Sequence, residues 1–96
     1  MSGKTVVIEV DNCHIRGGYA GDHSPRFELV FSNLYKGYEQ VLEAFRHIFL
    51  NILLCKPKEC SVLLIVDTLT RQTEQNYMMT ALLRDIQVFQ LCLKDQ

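Results

Sequence analysis

Residues 5–26 read TVVIEVDNCHIRGGYAGDHSPR, and the fold is decided there. The stretch opens on Thr5-Val6-Val7-Ile8-Glu9-Val10, a run rich in β-branched side chains, which suit the pleated surface of a strand. Asp11-Asn12-Cys13 follows, and Asp and Asn turn the chain by hydrogen-bonding their own backbone. From His14 a returning strand is predicted, ending in a turn at Gly21-Asp22. Two strands about a short polar turn make a hairpin.

The second half of that hairpin, Gly17-Gly18-Tyr19-Ala20-Gly21-Asp22-His23-Ser24-Pro25-Arg26, resembles the opening of the actin family, where an Ala-Gly-Phe-Ala-Gly-Asp-x-x-Pro-Arg segment follows the first phosphate turn. Counting back without gaps, the family's first-strand Asp falls on Glu9 and its Gly-Ser-Gly phosphate turn on Asp11-Asn12-Cys13. Its phosphate-reaching Lys falls on Arg16. The resemblance therefore implies Asp11, Asn12, Cys13 and Arg16 as the nucleotide-facing positions. It also implies that they have degenerated. A phosphate turn uses glycines so that backbone can approach the anion. Asp11 instead puts a negative charge where polyphosphate would sit, a repulsion of roughly 1–4 kcal/mol near a protein surface. Cys13 adds bulk. No ATP or other cofactor is expected to bind.

Outward from the hairpin, Phe27 to Phe31 is predicted as a third strand, broken by the polar cluster Ser32 to Gly37. Tyr38, Val41, Leu42, Phe45, Ile48, Phe49, Ile52 and Leu53 then recur at helical spacing, one apolar stripe that Pro57 should end. The aromatic members of the stripe belong to a core rather than to a ligand box. His47 lies off the stripe and is expected at the surface. Cys60 to Val66 is a continuous apolar run, as in a strand buried on both faces. A second helix is predicted from about Arg71 to Asp85, with Thr70 as N-cap and Tyr77, Met78, Ala81 and Leu82 inward. Ile86 to Leu93 reads as a last strand.

Composition narrows the function. The 96 residues are 48% apolar and 22% charged, with net charge −1, which suits one small soluble α/β domain over residues 1–96. No basic block supports binding to nucleic acid or to an anionic membrane. A secretory leader is missing and the most apolar window, Ile48 to Cys55, is too short to span a bilayer, so a cytoplasmic protein is expected. Of the four cysteines, Cys55 and Cys60 lack C-x-x-C spacing, and all four are expected as small buried or half-buried apolar groups with no metal site. Glu9 and Asp11 could pair on one strand face, with Asp67 as the only further acid for a two-metal nuclease. His14 and His23 have no triad context.

The order βββαβαβ is that of a ribonuclease-H-like, actin-like half-domain. Relative to the family, no small subdomain fits between Phe31 and Tyr38, and a second phosphate hairpin is absent from this sequence. The resemblance thus implies a non-catalytic subunit or adaptor of a cytoskeletal assembly, such as a dynactin-like pointed-end complex, held by actin-like protein partners. A residual ATP-binding module and a truncated isoform without its own function are the alternatives. An apolar sheet edge at Val88, Phe89, Leu91 and Leu93 is expected to need another chain.

Overall fold

Strand β1 (Lys4–Val10) is central to a five-stranded sheet of order β3-β2-β1-β4-β5. The computed structural model describes residues 4–11, 13–30 and 37–95. Strands β2 (His14–Tyr19) and β3 (Phe27–Val30) meander antiparallel on one side of β1. On its other side β4 (Cys60–Val66) and then β5 (Gln90–Asp95) run parallel to it. The element order is three strands, helix, strand, helix, strand, giving a mixed α/β fold.

Strict alternation sets the layers. In β4, Cys60, Val62, Leu64 and Val66 are buried while Ser61, Leu63 and Ile65 are half-buried. Val6, Ile8 and Val10 of β1 share the buried set, and all join one core with both helices. The stripe read from the sequence supplies the other layer. Val41, Leu42 and Phe45 come from α1 (Tyr38–His47), and Ile48, Phe49 and Leu53 from its wider, π-helical continuation Ile48–Leu53. Each such large side chain contributes about 1.5–3 kcal/mol by leaving water. From α2 (Gln72–Thr80) and its π-helical continuation Ala81–Ile86 come Met78, Ala81 and Leu82. Tyr77 is only partly buried. The Tyr38 hydroxyl donates to the Asp85 carboxylate, tying the start of the first helix to the end of the second.

Several boundaries differ from expectation. The first helix stops at Leu54, in the left-handed region at φ 53°, and Pro57 instead opens a 3-10 turn (Pro57–Glu59). Gln87 (φ 65°) ends the second helix in the same way, and the Val88 N–H returns to the Leu82 carbonyl. Ile86 therefore belongs to helix, and β5 starts only at Gln90, after the Phe89 N–H has bonded to the Cys60 carbonyl. Thr70 is not the N-cap. It is buried, and Arg71 takes the cap position, its N–H donating to the Glu74 carboxylate at 3.4 Å. The third strand is described to Val30, and Phe31 with the break after it, 31–36, lies outside the described residues.

Two of the four thiols also depart from expectation, since Cys13 and Cys92 are exposed. Cys60 is buried and Cys55 half-buried, with the Cys60 thiol donating to the Cys55 sulfur at 3.2 Å. Burial first, and then that hydrogen bond, pushes the Cys60 thiol up to about 12, so it stays protonated at neutral pH. His47 is exposed and bonds Asn51 one turn on, as a surface histidine would. No helix among the described residues is long and apolar enough to cross a membrane.

Candidate functional site

The turn joining β1 to β2 gathers the residues that the sequence marks for nucleotide contact. Beyond the antiparallel pair Val10 and Ile15, the Asp11 N–H closes the reversal on the His14 carbonyl at 3.0 Å. The Asp11 side chain then folds over its own turn. Oδ1 accepts the N–H of Cys13 at 3.0 Å and that of His14 at 2.8 Å. Backbone donors that a phosphate turn would offer to an anion are thus taken by an internal carboxylate. Those two bonds depress the Asp11 acid below its ordinary 3.8, the Cys13 N–H first, with partial burial opposing. Asn12 lies outside the described residues.

Arg16 sits next to this turn because register aligns Glu9, Arg16 and Glu28 in one row across β1, β2 and β3. Its guanidinium lies 3.7 Å from Glu9, 3.8 Å from Asp11 Oδ2 and 3.6 Å from Glu28. Three carboxylates thus converge on the one guanidinium that a polyphosphate would need. All of these groups are partly exposed, so each pair adds well under 1 kcal/mol of stability.

The structure brings Asp11, Cys13 and Arg16 together as the sequence suggests, and adds one residue that sequence reasoning passed over. The His14 ring turns back so that Nδ1 lies 3.3 Å from Asp11 Oδ1 and 3.5 Å from Cys13 Sγ. One donor atom from each of Asp11, Cys13 and His14 falls within 4.8 Å of the others. Asp-x-Cys-His places three donor types within four residues, a spacing that the sequence itself shows. Asp67 is otherwise engaged, its Oδ1 accepting the Leu69 N–H at 3.0 Å, so it builds its own turn. It is not among the three donors grouped at the hairpin.

The segment that carries the family resemblance has a structural explanation at the other end of the same hairpin. Asp22 Oδ2 accepts the Tyr19 N–H at 3.0 Å and pairs with Arg26 at 3.3 Å. Lys4 and Arg26 each lie 4.9 Å from the centroid of the Tyr19 ring. The Tyr19 hydroxyl donates to the Leu53 carbonyl at 2.8 Å, anchoring the hairpin to the end of the first helix. An open depression of about 380 Å³ beside these residues is lined by groups that already stack on and neutralise one another.

Asp11→Ala is expected to cost about 1 kcal/mol at neutral pH by stripping two backbone N–H groups of their acceptor. The sign of its pH dependence follows from the depressed acid. The bonds contribute fully above the ordinary 3.8 and are lost as pH falls through the lower folded value. Urea unfolding of both proteins should show the gap at pH 7 and its shrinkage below about pH 4. A gap independent of pH would show that the carboxylate is not what holds the turn. No protein-family model and no curated protein matches the chain.

Proposed function

We propose that the chain is a non-catalytic, actin-like structural subunit that works through contacts with other protein subunits and does not use ATP. The observation that carries this reading is the self-filled turn, in which Asp11 takes the Cys13 and His14 N–H groups at 3.0 and 2.8 Å. An incoming triphosphate would have to displace that carboxylate. It would also have to recruit Arg16 away from Glu9, Asp11 and Glu28.

Topology supports the same reading. Three antiparallel strands followed by two parallel ones, in the order β3-β2-β1-β4-β5, is the arrangement a ribonuclease-H-like half-domain requires. The hairpin segment Gly17 to Arg26 carries the actin pattern's Asp and Arg at Asp22 and Arg26, which build the knot with Tyr19, the residue standing where the pattern has Phe.

Attachment to neighbours has its own physical basis. Among the described residues β5 pairs on one side only, with β4, and Phe89 just before it is 70% exposed. Leu54 and Leu69 are exposed to a similar extent. An open strand edge beside apolar side chains is commonly covered by another chain. The reading places the protein in the cytoplasm, in a cytoskeletal assembly of the dynactin pointed-end type, with actin-like subunits as partners.

Affinity isolation of the full chain from cells, followed by native mass spectrometry, tests it. Actin-like subunits in fixed stoichiometry with the chain are expected. Recovery of the chain as a monomer, or with no actin-like subunit, would overturn the reading.

A further inference from the structure

We propose that Asp11, Cys13 and His14 form a three-donor site for a thiophilic divalent transition metal, with Zn²⁺ the ion that suits them best. The inference stands on the hairpin's donors and does not rest on the subunit reading above. Geometry comes first. Zinc bonds of about 2.0–2.1 Å to nitrogen and oxygen and 2.3 Å to sulfur give tetrahedral edges of about 3.4 Å for N···O and about 3.6 Å for N···S. The corresponding separations here are 3.3 Å for His14 Nδ1 to Asp11 Oδ1 and 3.5 Å for His14 Nδ1 to Cys13 Sγ. Two edges of a tetrahedral face are thus already in place, and all three donors lie within 4.8 Å of one another.

Chemistry and charge agree with that geometry. A thiolate, an imidazole and a carboxylate together favour zinc over magnesium or calcium, which prefer oxygen throughout. The Cys13 and His14 N–H bonds fix the orientation of the Asp11 carboxylate, as outer-shell donors do for a ligating acid. The Asp11 carboxylate and a Cys13 thiolate supply negative charge that a bound dication offsets. On binding, the Cys13 thiol releases its proton to solvent and its sulfur donates to the metal. His14 coordinates through unprotonated Nδ1 and carries its proton on Nε2. Because Cys13 is exposed, the fourth position opens to water or to a ligand from a partner.

Cobalt(II) is the probe, titrated into the reduced full chain and followed by its thiolate-to-cobalt absorption, with Zn²⁺ added afterwards as competitor. A one-to-one complex is expected, displaced by Zn²⁺. Cys13→Ser and His14→Ala should each weaken it more than about tenfold. Cys92→Ser and Cys55→Ser, which remove thiols elsewhere, should leave it unchanged. Circular dichroism establishes that each variant is folded, and the exposed Cys13→Ser change keeps the test available if His14→Ala unfolds. No thiolate band, a band that survives Cys13→Ser, or equal weakening by Cys92→Ser or Cys55→Ser would overturn the assignment.

Discussion

Gly17→Ala is expected to destabilise the protein by about 3 kcal/mol or more, the largest effect of any single methyl group considered for this chain. Gly17 faces Ile8 across the β1–β2 ladder and Phe27 across the β2–β3 ladder. A Cβ there would lie 2.0 Å from the Val7 carbonyl oxygen and 3.0 Å from its carbon. Both are backbone atoms of the central strand, itself locked to β4 along its whole length, so neither can step aside. The strands must part, and the Glu9–Arg16–Glu28 row parts with them. A 96-residue domain has only about 5–15 kcal/mol of total stability, so the melting temperature should fall by roughly 12–24 °C. Gly18→Ala provides the contrast. Its nearest obstacle is the Asp22 carboxylate at 2.7 Å, a side chain that can swing away, and the next atoms stand at 3.1 Å. Thermal melts of the two variants should therefore separate clearly, and similar losses would show that β1 can shift.

Phe45→Ala should cost about 3–5 kcal/mol. Phe45 is fully buried, midway along the stripe that runs from Val41 to Leu53, in the core that joins both helices to the sheet. Truncation removes its transfer free energy and leaves a cavity in a core whose strands and helices are held by pairing and packing. His47→Ala, two residues on but exposed, should stay within about 0.5 kcal/mol. Urea midpoints for the pair measure how far the helical stripe, rather than the helix itself, holds the fold.

Those two positions also show which parts of the structure are legible in the sequence. The stripe from Tyr38 to Leu53 is written in local periodicity, so the first helix and its inward face could be read directly. The strand from Cys60 to Val66 follows from its apolar run, but where burial on both faces is expected, Ser61, Leu63 and Ile65 are only half-buried. How the helices end could not be read, although the second stops at Ile86, within a residue of where its pattern stops. Leu54 and Gln87 adopt left-handed conformations costing roughly 1–2 kcal/mol, and neither is the Gly or Asn that normally marks such a cap. Tertiary contacts fix them instead, with Tyr19 holding the Leu53 carbonyl and Phe89 reaching the Cys60 carbonyl. Thr70 has the chemistry of an N-cap, yet it is drawn into the interior and Arg71 takes its place.

The hairpin divides in the same way. That Asp11 would bend the chain by bonding its own backbone is a local property, and it holds. The neutralisation of Arg16 needs strand register, which aligns residues from three strands, and the return of the His14 ring needs a rotamer choice. Neither is encoded by spacing. Gly17 is the same kind of case, since no local pattern requires glycine there and only the approach of the Val7 carbonyl gives its reason.

Asp11 fills the turn that aligns with the actin-family phosphate turn. Isothermal titration of the full chain with Mg-ATP should accordingly give no saturable heat up to millimolar nucleotide. A one-to-one isotherm with a micromolar Kd, weakened by Arg16→Ala, would contradict it.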